Sequence, residues 1–429
     1  MRITRELLES IWEKIGDLTP VENGELTVKR YDPPISREKW IHLKDLDPHI
    51  YTLIYSAVKL YSPRNRDDFI DTIYKYMDRL GRWLKKDRKI YSEDHPKKKI
   101  LLISPSNRQL RHVWGGWNRY AWRMKTLDGD ETPVEEGWAR DLMKIAEALK
   151  GEGVEPLVAA DTGVEKLWRD IYGDVLSIHI PDRLFKIGYV RDPSLTLFRE
   201  PIIGSMALDI RSGEEDVAIN IFRKVGLDPI YSVTPEVVDG DAMTPYVEGG
   251  NFIAIDTDPP TIFTGVGVRG TNHAGIKSLA RILPGNIRLI GIPISGYLRD
   301  WTSGAVHLDV VMMYISNGYR QVFIDPSRMG LYSFLEYDRA RDRFMVRNGL
   351  EVFRELEIYV DEPPREGTSN ITMVNALNLG GNKILVDSYN RKINRFLESW
   401  GADVIEVDIP HIEAGGGGVR CATKEVWIG

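Results

Sequence analysis

Apolar side chains recur through the first part of the chain at the spacing of amphipathic helices. Leu7, Leu8, Ile11, Trp12 and Ile15 line one helical face, and Ile50, Leu53, Ile54, Ala57, Val58 and Tyr61 line a second. Asp67 and Asp68 open a third helix, on which Ile73, Tyr74, Met77 and Leu80 share a side. The basic stretches Lys85–Lys89 and Lys97–Lys99 then flank a polar linker around Pro96, which reads as a solvated boundary. Residues 1–97 therefore read as a separate helical piece.

From Ile100 the pattern changes. Ile100–Ser104 is a compact apolar run of strand length. Glu135–Lys150 then places Trp138, Leu142, Ile145 and Leu149 in helical phase, Gly151 and Gly153 end it, and Val154–Val158 reads as a strand. The helix–glycine–strand order returns three times. Ala218–Lys224 leads through Gly226 to Pro229–Ser232, Asn272–Ile282 precedes Ile287–Ile290, and Lys392–Trp400 leads through Gly401 to Val404–Val407. Such recurrence is the mark of a repeat architecture, although ordinary α/β sheets alternate in the same way.

Composition narrows the class. With 42% hydrophobic and 10% aromatic residues in 429, the chain can bury a substantial core. No stretch approaches the roughly 18 uninterrupted apolar residues of a membrane helix. Met1–Glu6 lacks the apolar run of a signal peptide, so a cytoplasmic location is expected. A net charge of −6 argues against a nucleic-acid-binding face. There is no Cys/His cluster at zinc spacing, no Walker-type phosphate loop and no dinucleotide fingerprint, so neither metal nor organic cofactor is expected.

The chemistry concentrates in four short segments. Gly415-Gly416-Gly417-Gly418-Val419-Arg420-Cys421 holds the chain's single cysteine behind consecutive glycines, which let backbone approach a ligand closely. A cysteine so placed is a candidate nucleophile. Val247-Glu248-Gly249-Gly250-Asn251 sets a carboxylate on a double glycine. Val306-His307-Leu308-Asp309 sets an imidazole and a carboxylate two residues apart, on one side of a strand if the segment is extended. Tyr189-Val190-Arg191-Asp192-Pro193 sets a further acid before a proline. Paired carboxylates suit the planar, cationic guanidinium, a thiolate suits attack on its carbon, and histidine suits proton transfer to a departing amine.

In this order the segments resemble the guanidine-modifying enzymes of the pentein (α/β-propeller) superfamily, most of all arginine deiminase, over residues 98–429. The resemblance implies a mixed α/β fold of five ββαβ-type repeats with pseudo-fivefold symmetry, preceded by the helical extension. It implies that Asp192 and Asp309 grip the guanidinium, that Cys421 attacks its carbon, that His307 serves as acid and base, and that Glu248 orients His307 and accepts a guanidinium hydrogen bond. Arg269, in Gly265-Val266-Gly267-Val268-Arg269-Gly270-Thr271, and Arg211, in Ile210-Arg211-Ser212-Gly213-Glu214, match arginines that bind the substrate carboxylate. Three positions depart from the pattern. Lys186 stands where an asparagine usually holds the amino-acid end, Gly416 stands where some bacterial deiminases carry arginine, and Asn251 replaces aspartate after the double glycine. Lys186 and Asn251 thus join the expected substrate contacts, at a recognition end that differs from the family's. The expected partner is a small guanidino compound, in a homo-oligomer. Hydrolysis of arginine to citrulline and ammonia is the first expectation; amidino transfer to lysine, ornithine or glycine, dihydrolysis to ornithine, and a non-catalytic binding role are its rivals.

Overall fold

The structure is a computed structural model and describes residues 3–15, 46–86, 90–106, 134–181, 184–208, 211–233, 245–267, 270–295, 306–364 and 374–427. Helices Arg5–Ile15, Pro48–Tyr61 and Arg66–Lys85 form the N-terminal piece. The last begins at Asn65, whose side chain accepts from Asp68 N, and it carries Asp67 and Asp68 in its first turn and Arg82 and Lys85 in its last, the arrangement that suits the helix dipole. The piece is not set apart by solvent. Ile54, Tyr55, Val58, Phe69 and Ile73 share one apolar core with Ile202, Phe222, Ile230 and Tyr231 of the body. Ser232 N donates to Ser56 Oγ at 2.8 Å, and Arg79 Nη2 donates to Asp228 O at 2.7 Å.

Five sheets make up the rest of the described fold, and each contains the same local order. An antiparallel pair comes first, a helix follows, and a third strand then pairs parallel with the second. In the second sheet these are Ser194–Leu195, Ile202–Ile203, helix Glu214–Lys224 and Tyr231–Ser232. In the third they are Phe252–Ile255, Thr261–Val266, helix His273–Ala280 and Arg288–Pro293. In the fourth they are Met312–Ser316, Arg320–Ile324, helix Gly349–Glu355 and Ile358–Asp361. In the fifth they are Leu377–Gly380, Lys383–Asp387, helix Arg391–Ser399 and Asp403–Val407. The first sheet is completed by the end of the chain. Lys424–Glu425 pairs antiparallel with Lys99–Ser104, which pairs parallel with Glu155–Asp161 after helix Val134–Gly151. The central strands are buried along nearly their whole length, as expected where helices cover a parallel pair. A hairpin, Phe334–Asp338 and Arg343–Arg347, extends the third sheet at Arg288–Pro293.

The linker expected to lie in solvent runs instead across the body. Tyr91 N donates to Leu197 O, Glu93 N to Ala254 O and Lys97 N to Leu379 O, at 2.9, 2.8 and 3.0 Å. Lys97 is buried. Its charge fits there because Nζ meets Glu93 O, whereas Lys85, Lys86 and Lys98 are exposed as the solvated-boundary reading expects. Among the described residues no helix is long and apolar enough to cross a membrane.

Candidate active site

One short segment precedes the first strand of each antiparallel pair, and these segments converge. Asp192 lies just before Ser194–Leu195, Glu248 before Phe252–Ile255, His307 and Asp309 before Met312–Ser316, Asn375 before Leu377–Gly380, and Cys421 before Lys424–Glu425. Hydrogen bonds link each segment to the next and return to the first. Gly249 N donates to Asp192 O at 2.7 Å, Leu308 N to Asn251 Oδ1 at 3.0 Å, and Asn375 Nδ2 to Asp309 O at 3.2 Å. Cys421 N donates to Asn375 Oδ1 at 3.1 Å, and Arg191 N to Cys421 O at 3.3 Å. Residues more than 200 positions apart in the sequence are thus locked into one buried cluster.

His307 sits between two acids. Its Nε2 lies 2.5 Å from Glu248 Oε2 and its Nδ1 lies 3.4 Å from Asp192 Oδ1. Burial alone would lower the imidazole pKa, but the charge of Asp192 and the hydrogen bond that His307 donates to Glu248 outweigh it and raise it to about 9. His307 is therefore an imidazolium at neutral pH. Ala207 N holds the other Glu248 oxygen at 2.8 Å, which fixes the carboxylate's direction.

An extended segment would set His307 and Asp309 on one side of a strand. The structure instead gives a 3₁₀ turn over Leu308–Val310, with His307 as its N-terminal cap residue. Leu308 N is drawn to Asn251 Oδ1, and that bond turns the chain where an extended ladder would have continued. His307 and Asp309 still reach one site, brought there by the turn rather than by strand alternation.

Cys421 is 4% exposed. Burial pushes its thiol pKa well up, and the charges of Asp309 and Asp192 push it further. Its Sγ lies 3.9 Å from Asp309 Oδ2 and accepts a hydrogen bond from Asn375 Nδ2 at 3.1 Å. The thiol is therefore protonated at neutral pH.

Asp192 and Asp309 are each held by an arginine through one oxygen. Arg211 Nη1 donates to Asp192 Oδ2 at 2.7 Å, and Arg420 Nη1 donates to Asp309 Oδ2 at 2.8 Å. Among the described residues Asp309 Oδ1 has no hydrogen-bond partner, and Asp192 Oδ1 has only the 3.4 Å approach of His307. Buried carboxylate oxygens left without donors are costly, so two of them in one cluster call for an explanation.

The expected recognition residues fare differently. Arg211 is at the site, but its Nε and Nη2 are engaged by Glu214 at 2.7–3.2 Å, so it faces acids within the protein rather than an opening for a substrate carboxylate. Asn251 uses its Oδ1 to anchor Leu308 and lies behind His307 and Asp309, a supporting place that its burial dictates. Lys186 Nζ donates to Gly415 O at 2.7 Å and lies over the Tyr189 ring, and burial, together with Arg211, lowers its pKa to about 8. Arg269 lies outside the described residues.

Two glycines are required by shape. A Cβ on Gly250 would stand 2.7 Å from Asp192 Oδ1 and 2.9 Å from the His307 ring. Gly416 has φ +91°, a conformation that would strain the arginine found there in some deiminases.

Asn375 was missed by the sequence reading. The signal that could have found it is its register, since each of the other four antiparallel pairs is preceded by a predicted site residue.

Comparison with known proteins follows the same lines. A sequence profile described as "N,N dimethylarginine dimethylhydrolase, eukaryotic" matches residues 199–428, more than half of the chain. That stretch contains Glu248, His307, Asp309, Asn375 and Cys421 and begins after Asp192. The uncharacterised protein YkgA of Bacillus subtilis (strain 168) is 26% identical over 250 residues, covering 58% of this chain and 73% of that one. An amidinotransferase of the saxitoxin biosynthetic pathway, SxtG from Microseira wollei, superposes with a TM-score of 0.50 at 15% identity, covering 79% of this chain and 97% of that one. The N-terminal domain of ArgZ, an arginine dihydrolase of the cyanobacterial ornithine–ammonia cycle, superposes with a TM-score of 0.51 at 15% identity, covering 77% and 98%. At these identities the structural likeness is one of fold.

Proposed function

The chain belongs to the N,N-dimethylarginine dimethylhydrolase family, among the guanidine-modifying enzymes of the pentein superfamily, and we propose that it hydrolyses a guanidino C–N bond of arginine or an N-methylated arginine. The single observation that carries this reading is the open oxygen on each of Asp192 and Asp309, in the same buried cluster as Cys421 and His307.

In this reading a substrate guanidinium donates its N–H groups to Asp192 Oδ1, Asp309 Oδ1 and Glu248. Its positive charge offsets the two aspartates that disfavour the thiolate, and the thiol releases its proton to solvent as the substrate seats. The thiolate forms a bond to the guanidinium carbon, the imidazolium of His307 protonates the departing amine, and the C–N bond breaks. An amidino group is left on sulfur. Neutral His307 then takes a proton from water, the hydroxide adds to the same carbon, and the C–S bond breaks to return the thiolate and a ureido product. Asn375 Nδ2, already directed at sulfur, stabilises the thiolate as nucleophile and as leaving group. Lys186 is the candidate contact for a carboxylate at the substrate's far end.

The repeated strand order supports an arrangement of five blades about a pseudo-fivefold axis, with residues 98–429 as the catalytic body and the helices before it as an extension. Product analysis tests the activity. Purified protein is given arginine or dimethylarginine, alone and with lysine, ornithine or glycine. Citrulline with ammonia or dimethylamine and no added acceptor is the expected result. Product formed only when an amine is present would overturn hydrolysis in favour of amidino transfer.

A further inference from the structure

The two clamp aspartates are supported by matched devices. Arg420 gives Nη1 to Asp309 Oδ2, while its Nε and Nη2 are taken by Glu93 at 2.8 and 3.0 Å. Arg211 gives Nη1 to Asp192 Oδ2, while its Nε and Nη2 are taken by Glu214. In both, a glutamate occupies one side of the guanidinium fork and leaves a single donor for the aspartate. All four side chains of the two arginine–aspartate pairs are under 10% exposed.

We propose that Glu93 and Glu214 are positioning residues for the guanidinium clamp, each restraining an arginine to one oxygen of its aspartate and keeping the other oxygen open to the substrate. The proposal rests on the guanidine-hydrolysing reading of the site. Its physical basis is the preference of arginine and carboxylate for two parallel hydrogen bonds. If the glutamate's charge is removed, the far side of the fork is left chiefly to a backbone carbonyl, Phe252 O for Arg420 and Lys186 O for Arg211, which holds it less strongly than a carboxylate. The fork then closes on both oxygens of the aspartate and fills the position the substrate needs.

Glu93 is well fixed for this task. Its backbone N–H is bonded to Ala254 O, and Arg420 Nη2 also reaches Phe252 O at 2.9 Å, so residue and partner are tied to the same strand. Glu93 comes from the segment that joins the helical extension to the first strand. The extension thereby contributes to the site a group that lies outside the stretch matched by the family profile.

The test compares Glu93→Gln, Glu93→Asp and Glu214→Gln with the unchanged protein by steady-state kinetics, and by the pH profile of iodoacetamide alkylation of Cys421. Asp309, Asp192, Arg420 and Lys186 are the charged groups that act on the thiol or on which it acts, so the alkylation profile reads their balance without any substrate. In Glu93→Gln, KM is expected to rise about tenfold or more with a smaller change in kcat. The alkylation midpoint is expected to move down by about one pH unit, because Arg420 then neutralises Asp309 more fully. Glu93→Asp keeps the charge but shortens the reach, so the midpoint is expected to stay in place while KM rises several-fold. Glu214→Gln is expected to raise KM in the same way. A folded Glu93→Gln protein with KM and alkylation midpoint both unchanged would overturn the proposal. If that variant does not fold, an unchanged KM in Glu93→Asp overturns it. If the unchanged protein turns over no guanidine, the functional reading fails separately, and the alkylation profiles still decide whether Glu93 sets the balance around Cys421.

Discussion

Replacing Glu248 by Gln removes one charge from the two-acid setting of His307 and changes little in volume. The wild-type imidazole stands at about 9 against an ordinary 6.5, a preference for the imidazolium worth about 3 kcal/mol. Asp192 supplies the larger electrostatic part and Glu248 the hydrogen bond. An amide cannot reproduce that bond. If its carbonyl faces Nε2, the bond keeps the imidazolium's charge but loses the carboxylate's. If its NH₂ faces Nε2, it favours the unprotonated ring. The difference between a hydrogen bond to a charged acceptor and one to a neutral acceptor is about 1–2 kcal/mol, so the imidazole is expected to fall by about one unit, to near 8. The pH profile of kcat/KM reports groups of the unliganded enzyme, and its basic limb is assigned to loss of the His307 proton. That limb is expected to move from about 9 to about 8 in Glu248→Gln, with about a threefold loss at pH 8.5. Stability carries the same signature. A raised folded-state pKa stabilises the fold fully below 6.5, and that contribution is lost as pH rises through about 9. The variant's stability deficit should therefore be largest near pH 6 and shrink above pH 9, as read by urea denaturation. A folded variant whose basic limb stays within 0.3 unit of wild type, a margin well inside the roughly one-unit shift expected, would refute the reasoning.

Three further outcomes follow from the same geometry. Cys421→Ser should abolish turnover while leaving substrate binding measurable by calorimetry; full activity would remove the covalent mechanism. Asn375→Ala deletes the donor to sulfur and leaves Cys421 N without its side-chain acceptor, so kcat should fall about ten- to hundredfold, and a change below twofold would remove Asn375 from the chemistry. Gly250→Ala would press a methyl group between Asp192 and His307, so kcat/KM should drop at least tenfold as His307 is displaced, and a crystal structure with the ring unmoved would contradict the packing argument.

Much of this protein could be read from its residues, because the signals were local. The amphipathic stripes of the N-terminal helices follow from the 3.6-residue period, and all three helices form where the stripes lie. Four helix–glycine–strand units announced themselves in the same way. The unit containing helix Gly349–Glu355 did not, because a seven-residue helix is too short to show a period. Cys421, Glu248, His307, Asp192 and Asp309 stood out because their residue types, flanking glycines and order carry chemistry whether or not the fold is known.

What sequence could not reveal were partnerships between distant positions. The linker's lysines look like solvated charge, and only the folded body shows Lys97 buried and Glu93 turned onto Arg420. Arg211 looks like a substrate ligand until the structure places Glu214 and Asp192 around it. Asn375 has no local feature to distinguish it, and its role comes from contact with a cysteine 46 residues away. The sequence by itself determined most of the helical and strand segments and the candidate reacting groups, since both depend on side-chain type and near-neighbour spacing. Tertiary structure alone decided which oxygen of each aspartate stays open, because that is set by arginines and glutamates drawn from separate segments and held together by burial.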